Sequence, residues 1–552
     1  MPNRLISTLV LPRNALRRWA LVIVVLVACA APAVAQETPQ QETVLGTVHF
    51  NASCSAEEFD RAMAFLHHMQ YVASRAAFER IVEVHPECGM AHWGIAMTLF
   101  QPLWPTRPGP EALQRGWKEI RRAKELGAGS DREAKLVSAA EAFFRDPEQA
   151  DWWTRIRRWS AAMDQAYQES PDDMETAALY ALSQLAAGQV APDRMAYHSR
   201  AAEVLLNIYK REPQHPGAIH YTIHANDVNT RATKSLEVVR SYGSIAPAVP
   251  HALHMPTHIF VRLGEWPDVI DWNRKAADAA LRFPAPDGIS NHYAHALDYL
   301  IYAYLQRGED EQALAVIEEI SAKQEPFQGT FTSAFHLAAM PARYAVERRA
   351  WNEALALTPR TPTSVKWERF WWAESISWFA RGLGAVHTGD ASEAERSDRR
   401  MGELRNAARA AGEEGFANYI EIDRLLLAAW SAHVAGDSRL ALDLVGSAVQ
   451  LESRTQKHPV TPGALWPTQE ALGDLLLDLG RAEEALSAYA RSLTTWPARF
   501  NSILGAARAA RAANLEEQAE YHYRKLLEVS SRKDSRRPAL AEAGEFLGAV
   551  SR

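Results

Sequence analysis

Cysteine is nearly absent from this chain, with three in 552 residues, at Cys29, Cys54 and Cys88. No two of them form a Cys-x-x-Cys pair, which removes dithiol redox motifs and cysteine-built zinc ribbons from consideration. Other signatures are missing too: no Gly-rich phosphate loop, no Gly-x-Ser-x-Gly elbow and no His-Glu-x-x-His zinc-protease motif. Neither sign of charge dominates. The 60 Lys and Arg are interspersed with 67 Asp and Glu for a net charge of −7, leaving no basic stripe suited to a nucleic-acid backbone. Beyond the first 35 residues no apolar run is long enough to cross a membrane. Strand-like alternation is scarce.

What is present begins with a leader. Arg4, Arg13, Arg17 and Arg18 precede the apolar stretch Trp19–Ala31, and Ala33-Val34-Ala35 supplies a small-x-small cleavage pattern. Residues 1–35 therefore read as a signal peptide, with Gln36 first in the mature chain. Leu26-Val27-Ala28-Cys29 competes as a lipobox, which would make Cys29 a lipid anchor, and Arg17-Arg18 carries a faint twin-arginine signal. The expected location is the periplasm, with the protein either free or anchored through Cys29. In an oxidising compartment Cys54 and Cys88 are expected to pair; the alternative is two soft metal ligands.

Hydrophobic residues make up 47% of the chain, and small and large ones recur at helical spacing. The clearest unit runs from Leu472-Gly473-Asp474 through Leu479-Gly480-Arg481 and Glu484-Ala485-Leu486 to Tyr489, closing at Trp496-Pro497. Gly473 permits close helix approach, Gly480 ends the first helix, and Pro497 marks the boundary. The grammar recurs at Tyr302–Leu314, Arg381–Asp390 and Ala73–Pro86. This pattern resembles the tetratricopeptide repeat (TPR) family. The resemblance implies an all-α, right-handed superhelical solenoid of antiparallel helix pairs that binds partners. Ala91-His92-Trp93-Gly94, His220-Tyr221-Thr222-Ile223-His224, His254-Met255-Pro256-Thr257-His258 and Arg499-Phe500-Asn501 further resemble a group of exported bacterial TPR proteins of unassigned function. An irregular array over 36–357 carrying the histidines, then a regular array over 358–552, is the expected organisation, divided at the Pro-rich Thr358–Thr363.

Eight of the 19 histidines lie between His215 and His295. His220 and His224 are one helical turn apart, and His254 and His258 repeat that pair 34 residues later, the TPR period. His251 lies one turn before His254 on the same face. Aligning the turns at Gly264 and Gly308 places His295 where His251 stands and Asp298 where His254 stands. His292 is one turn earlier, and His336 echoes His251. Two imidazoles one turn apart chelate a single ion, and a neighbouring helix can complete the shell. His220, His224, His254 and His258 are thus the candidate metal ligands, with Asp227, His251, His295 and Asp298 as further candidates. Tyr221 and His292 are expected to line a groove. Pro256 bears on this, because a helix starting there would leave His251 and His254 on a loop.

Two functional expectations follow. One is an exported scaffold whose groove binds a peptide, protein or small ligand. The other is a metal-dependent hydrolase or oxidoreductase using zinc, copper or iron in that groove. The residues leave open whether the protein is an enzyme. His67-His68-Met69 and His92-Trp93 are weaker candidates.

Overall fold

The computed structural model describes residues 43–550, apart from 55–56, 105–106, 229, 283–284, 286 and 531–534. The leader, both cleavage patterns and Cys29 lie outside the described residues. From Val44 onward the chain forms one compact unit. Among the described residues it is built of α-helices and two short 3-10 turns, with only isolated bridges at Ala285–Gly288 and Ile289–Phe327. No described helix is long and apolar enough to cross a membrane.

Consecutive helices pair antiparallel as TPR-like hairpins. Trp371–Thr388 packs on Ala391–Ala410, Glu414–Val434 on Ser438–Arg454, Thr468–Asp478 on Ala482–Thr495, and Phe500–Ala512 on Glu516–Val529. Local chemistry sets the ends. Asp390 and Asp437 cap their helices by accepting from the backbone N–H of Glu393 and Leu440. Gly480 sits at φ +74° after the Thr468–Asp478 helix, a left-handed conformation open to glycine at little cost. Inside that hairpin, a Cβ on Gly473 would lie 2.8 Å from the Tyr489 ring. Glycine there lets the aromatic ring lie flat on the opposing helix.

The array does not stay extended. The Trp266 indole N–H donates to the Ala498 carbonyl at 2.9 Å, and the Gln306 side chain accepts from the Phe500 backbone N–H at 2.9 Å. Buried Arg499 pairs with Glu347 and with Glu470, each at 2.6 Å. The C-terminal hairpins thereby fold back onto the middle of the chain. The connection between Ser438–Arg454 and Thr468–Asp478 forms a strap across the histidine-bearing helices. Arg343 donates to the Gly463 carbonyl at 3.1 Å, and the Tyr299 hydroxyl lies 3.0 Å from the Pro459 carbonyl. At the other end Cys54 and Cys88 form a disulfide, joining the segment before the first helix to the start of Gly89–Met97.

Gly473→Leu forces a branched side chain into the space that the Tyr489 ring fills. Overpacking of this kind costs about 1–3 kcal/mol. A urea midpoint lowered accordingly is expected, and an unchanged midpoint would show that Tyr489 swings aside freely.

Candidate metal centre

His220 and His224 lie on the helix Pro216–Asn226, with Asp227 at its C-cap. His251 and His254 lie on Pro250–His254, and His258 on Pro256–Leu263. These two short helices are one bent helix in effect. Met255 between them has φ −54° and ψ −40°, and its N–H donates to the His251 carbonyl at 2.9 Å. Pro256 therefore bends the helix without unwinding it, and His251, His254 and His258 keep a common face. His292, His295 and Asp298 lie on Asn291–Gln306.

Six of these imidazoles converge into two adjoining sets. In one, nitrogen atoms of His220, His224 and His251 all lie within 4.8 Å of one another; in the other, those of His254, His258 and His295 do. Ring centroids of His224 and His258, and of His251 and His254, are 6.3 Å apart across the two sets. All six rings are buried except that of His224, which is half-buried.

For four of the six rings, the hydrogen bonds decide which nitrogen carries the proton. Asp227 accepts from His258 Nδ1 at 3.1 Å, so the proton is on Nδ1 and Nε2 holds a lone pair. The Asn273 amide nitrogen donates to the Val269 carbonyl, which orients its oxygen to accept from His254 Nδ1 at 2.7 Å. Nε2 of His254 is then also a lone pair. Asp298 accepts from His336 Nδ1 at 3.0 Å, so His336 Nε2 accepts from His295 Nδ1 at 2.7 Å and His295 presents its own Nε2. His220 Nδ1 donates to the His67 carbonyl at 2.6 Å. The result is electrostatically frustrated: His254 Nε2 and His258 Nε2 face each other at 3.1 Å as two acceptors. Nε2 of His220, Nε2 of His224 and both nitrogens of His251 have no hydrogen-bond partner among the described residues. A buried polar atom left unpaired costs roughly 1–3 kcal/mol. A cation placed between the rings would take up the lone pairs that face inward, though not the remaining N–H of His251.

Protonation is a poor substitute for that cation. Burial and the neighbouring imidazoles push His220, His251, His254 and His295 well below the usual histidine value. Burial, then His258, brings His224 to about 3. The two carboxylates behave oppositely. Burial alone would raise Asp227, but Lys457, Arg262 and His258 outweigh it and hold the carboxyl well below its ordinary range. Arg343 and His336 do the same for Asp298 against its burial. Both acids therefore stay ionised and keep their histidine partners locked.

A third set provides the contrast. His67, Glu175 and His215 also lie within 4.8 Å, and all are buried. Here the network closes. Glu175 accepts from His67 Nε2 at 2.8 Å and from His215 Nε2 at 3.0 Å, while His215 Nδ1 accepts from the Ala218 N–H. His67 Nδ1 takes its bond from the Tyr221 hydroxyl at 3.0 Å. Every donor has an acceptor, as in a structural network.

Three sequence expectations need correction or relocation. Tyr221 does not line a groove: its ring is fully buried, one position round the helix from His220 and turned towards His67. His292 is half-buried, packed on His251 at 5.0 Å and on Trp104 at 5.5 Å between ring centroids. Asp227 and Asp298 sit behind the imidazoles as orienting acceptors, bonded to Arg262 and Arg343 respectively. His92 bonds to Glu119, and His68 to Tyr242, whose ring lies 5.9 Å from that of His220. Residues that the sequence did not single out include Asn273, Arg262, Lys457 and His458. Lys457 reaches Asp227 at 3.3 Å from 230 positions away, and Asn273 carries no pattern of its own. His336 was visible as an imperfect echo of His251.

No family model matches the chain, and no curated protein matches it. Solved structures similar to it include the APC/C hetero-tetramer Cut9–Hcn1, at 12% identity over 89% of each chain with a TM-score of 0.30. They also include a monomeric mutant of IFIT1 with m7Gppp-AAAA, at 11% identity over 80% of this chain and 90% of that one, with a TM-score of 0.36.

Removing Asp227 leaves Arg262 and Lys457 buried without their partner. Asp227→Ala is expected to cost about 3–5 kcal/mol in denaturant unfolding. Glu520→Ala, which breaks an exposed pair with Arg524, should stay within about 1 kcal/mol. Equal effects would show that the Asp227 network is not compensating buried charge.

Proposed function

We propose that this is an exported transition-metal protein on a TPR-like helical scaffold, with one ion in each three-imidazole set. One observation carries the reading: ring nitrogens of His254, His258 and His295 lie within 4.8 Å of one another, and bonds from each Nδ1 leave the three Nε2 atoms as lone pairs. Metal-ligating histidines characteristically give their second nitrogen to a carboxylate or carbonyl, which orients the ring. His258 has Asp227, His220 has the His67 carbonyl, and His295 reaches Asp298 through His336.

The donor set indicates the class of ion. Neutral imidazoles suit zinc, copper and iron, whereas calcium and magnesium require oxygen ligands. At a metal–nitrogen bond of about 2.0–2.1 Å, two nitrogens on a tetrahedral ion stand roughly 3.3–3.4 Å apart. The His254–His258 pair, at 3.1 Å, is already near that spacing. Three protein ligands leave a position for water or substrate, which is the arrangement of a catalytic site. We therefore favour a metal-dependent enzyme, a hydrolase or an oxidoreductase. The strap carrying Lys457, Pro459, Thr461 and Gly463 bonds to Asp227, Tyr299 and Arg343, so it, rather than a peptide, covers these side chains.

Elemental analysis of untagged protein should find about two transition-metal ions per chain. His254→Ala and His258→Ala should each remove about one. Asp298→Asn should weaken affinity roughly 10–100-fold while helicity is retained. Protein that stays metal-free after incubation with zinc, copper and iron salts, and melts identically with and without chelator, would sink the proposal.

A further inference from the structure

Two cavities meet at the histidines. A hollow of about 30 Å³ lies against His224, His251, His258 and His295. A larger one, of about 190 Å³, is lined by apolar residues such as Leu185, Val190 and Phe416 and by polar ones that include Arg194, His224, Glu413 and Glu414. Leu103, His224, His458 and Pro459 line both. The larger cavity thus reaches a proposed metal ligand directly, and the strap residues His458 and Pro459 form the partition.

The charges in its wall are not balanced. Arg107 pairs with Glu413, Glu414 with Arg409, and Lys457 with Asp227. Arg194 pairs with no carboxylate among the described residues. Its single hydrogen bond runs from Nε to His198 Nε2 at 3.0 Å. His198 is fixed to receive it, since its Nδ1 donates to the Ala225 carbonyl at 3.1 Å. The side chain is therefore held by Nε, its terminal amino groups take no hydrogen bond among the described residues, and the residue lines the cavity. Burial disfavours its charge, an effect that Tyr419 and Asp227 only partly offset. Two parallel N–H groups on a planar guanidinium match the two oxygens of a carboxylate. The apolar walls match a hydrocarbon or aromatic body, and the volume limits it to a small molecule.

We propose that this cavity is the substrate subsite of the histidine centre and that it takes a small organic carboxylate with an apolar body, its carboxylate held by Arg194. The link to catalysis rests on the metal reading, whereas binding in the cavity does not. The single unpaired guanidinium and the apolar lining favour a monocarboxylate over phosphate.

The test is calorimetric titration of the full chain with phenylacetate, benzylamine and inorganic phosphate, on chelator-treated and on metal-loaded protein. Phenylacetate is expected to bind in both forms, at least about tenfold more tightly than either other probe. Arg194→Gln should weaken it by about tenfold or more, a loss of roughly 1.4 kcal/mol, and Arg194→Lys by less, with both variants melting near wild type. In cobalt-loaded protein phenylacetate should also change the visible spectrum. Failure to bind wild type, equal binding to Arg194→Gln, or stronger binding of phosphate overturns the carboxylate subsite. Binding that leaves the cobalt spectrum unchanged overturns its assignment to the centre. If no cobalt binds at all, the metal reading fails, and the chelator-treated titration alone decides the subsite.

Discussion

The hydrogen bonds from His258 to Asp227 and from His336 to Asp298 determine what the histidine centre is. Imidazole is ambivalent, with either nitrogen able to carry the proton, and a cluster of six such rings would ordinarily settle into a mutually donating network. The two carboxylates remove that freedom. Each takes an Nδ1 proton, and through His336 the second carboxylate also sets the proton of His295. Asn273 and the His67 carbonyl complete the restriction for His254 and His220. What those four rings turn inward is Nε2 with its lone pair. The set formed by His67, Glu175 and His215 uses the same residue types at similar burial, yet its carboxylate lies among the rings and closes the network. Placing the acid behind the rings, rather than between them, leaves the inner nitrogens without the partner that Glu175 supplies in the closed network.

That placement depends on parts of the chain far apart. Asp227 would be costly to bury ionised without Arg262 and Lys457, and Asp298 without Arg343. Lys457 belongs to the strap, and Arg343 anchors the strap through the Gly463 carbonyl. The ion pairs that keep the carboxylates charged are thus also the fastenings that close the space over the histidines. A 34-residue repeat supplies the rest. It sets His220 and His224 beside His254 and His258 on successive first helices, so that two three-imidazole sets arise from one pattern used twice.

The histidine pairs were legible because helical periodicity and repeat period are both local properties. His251, His254 and His258 stayed on one face because Met255 keeps helical angles through the bend at Pro256, which the sequence could only pose as a question. Tyr221 was misread for a geometric reason. It follows His220 directly, and one residue is a turn of about 100° around a helix, enough to carry its ring from the histidine face into the interior. The roles of Asp227 and Asp298 were half visible: the residues were named, but whether an acid ligates or orients depends on ring rotation. Lys457, His458 and Arg194 had no signal, since loop closure over some 230 positions leaves no periodic trace. The hairpin grammar at Gly473, Gly480 and Ala485 was by contrast fully readable, because each residue type answers a purely local steric demand.

The charge balance behind the rings constrains what occupies the front. Two carboxylates, Asp227 and Asp298, face three cations, Arg262, Lys457 and Arg343, so the layer around the imidazoles is already slightly positive. Six neutral ligands add no negative charge. A pair of divalent ions placed there would leave a large uncompensated positive charge in a buried site, which is unfavourable unless the open coordination positions carry anions. An anionic ligand such as a carboxylate would meet that requirement. An unpaired guanidinium at the neighbouring cavity extends the same positive field towards the space from which a ligand would come. A centre loaded as proposed would favour negative charge in what approaches it, through charges that also compensate one another within the fold.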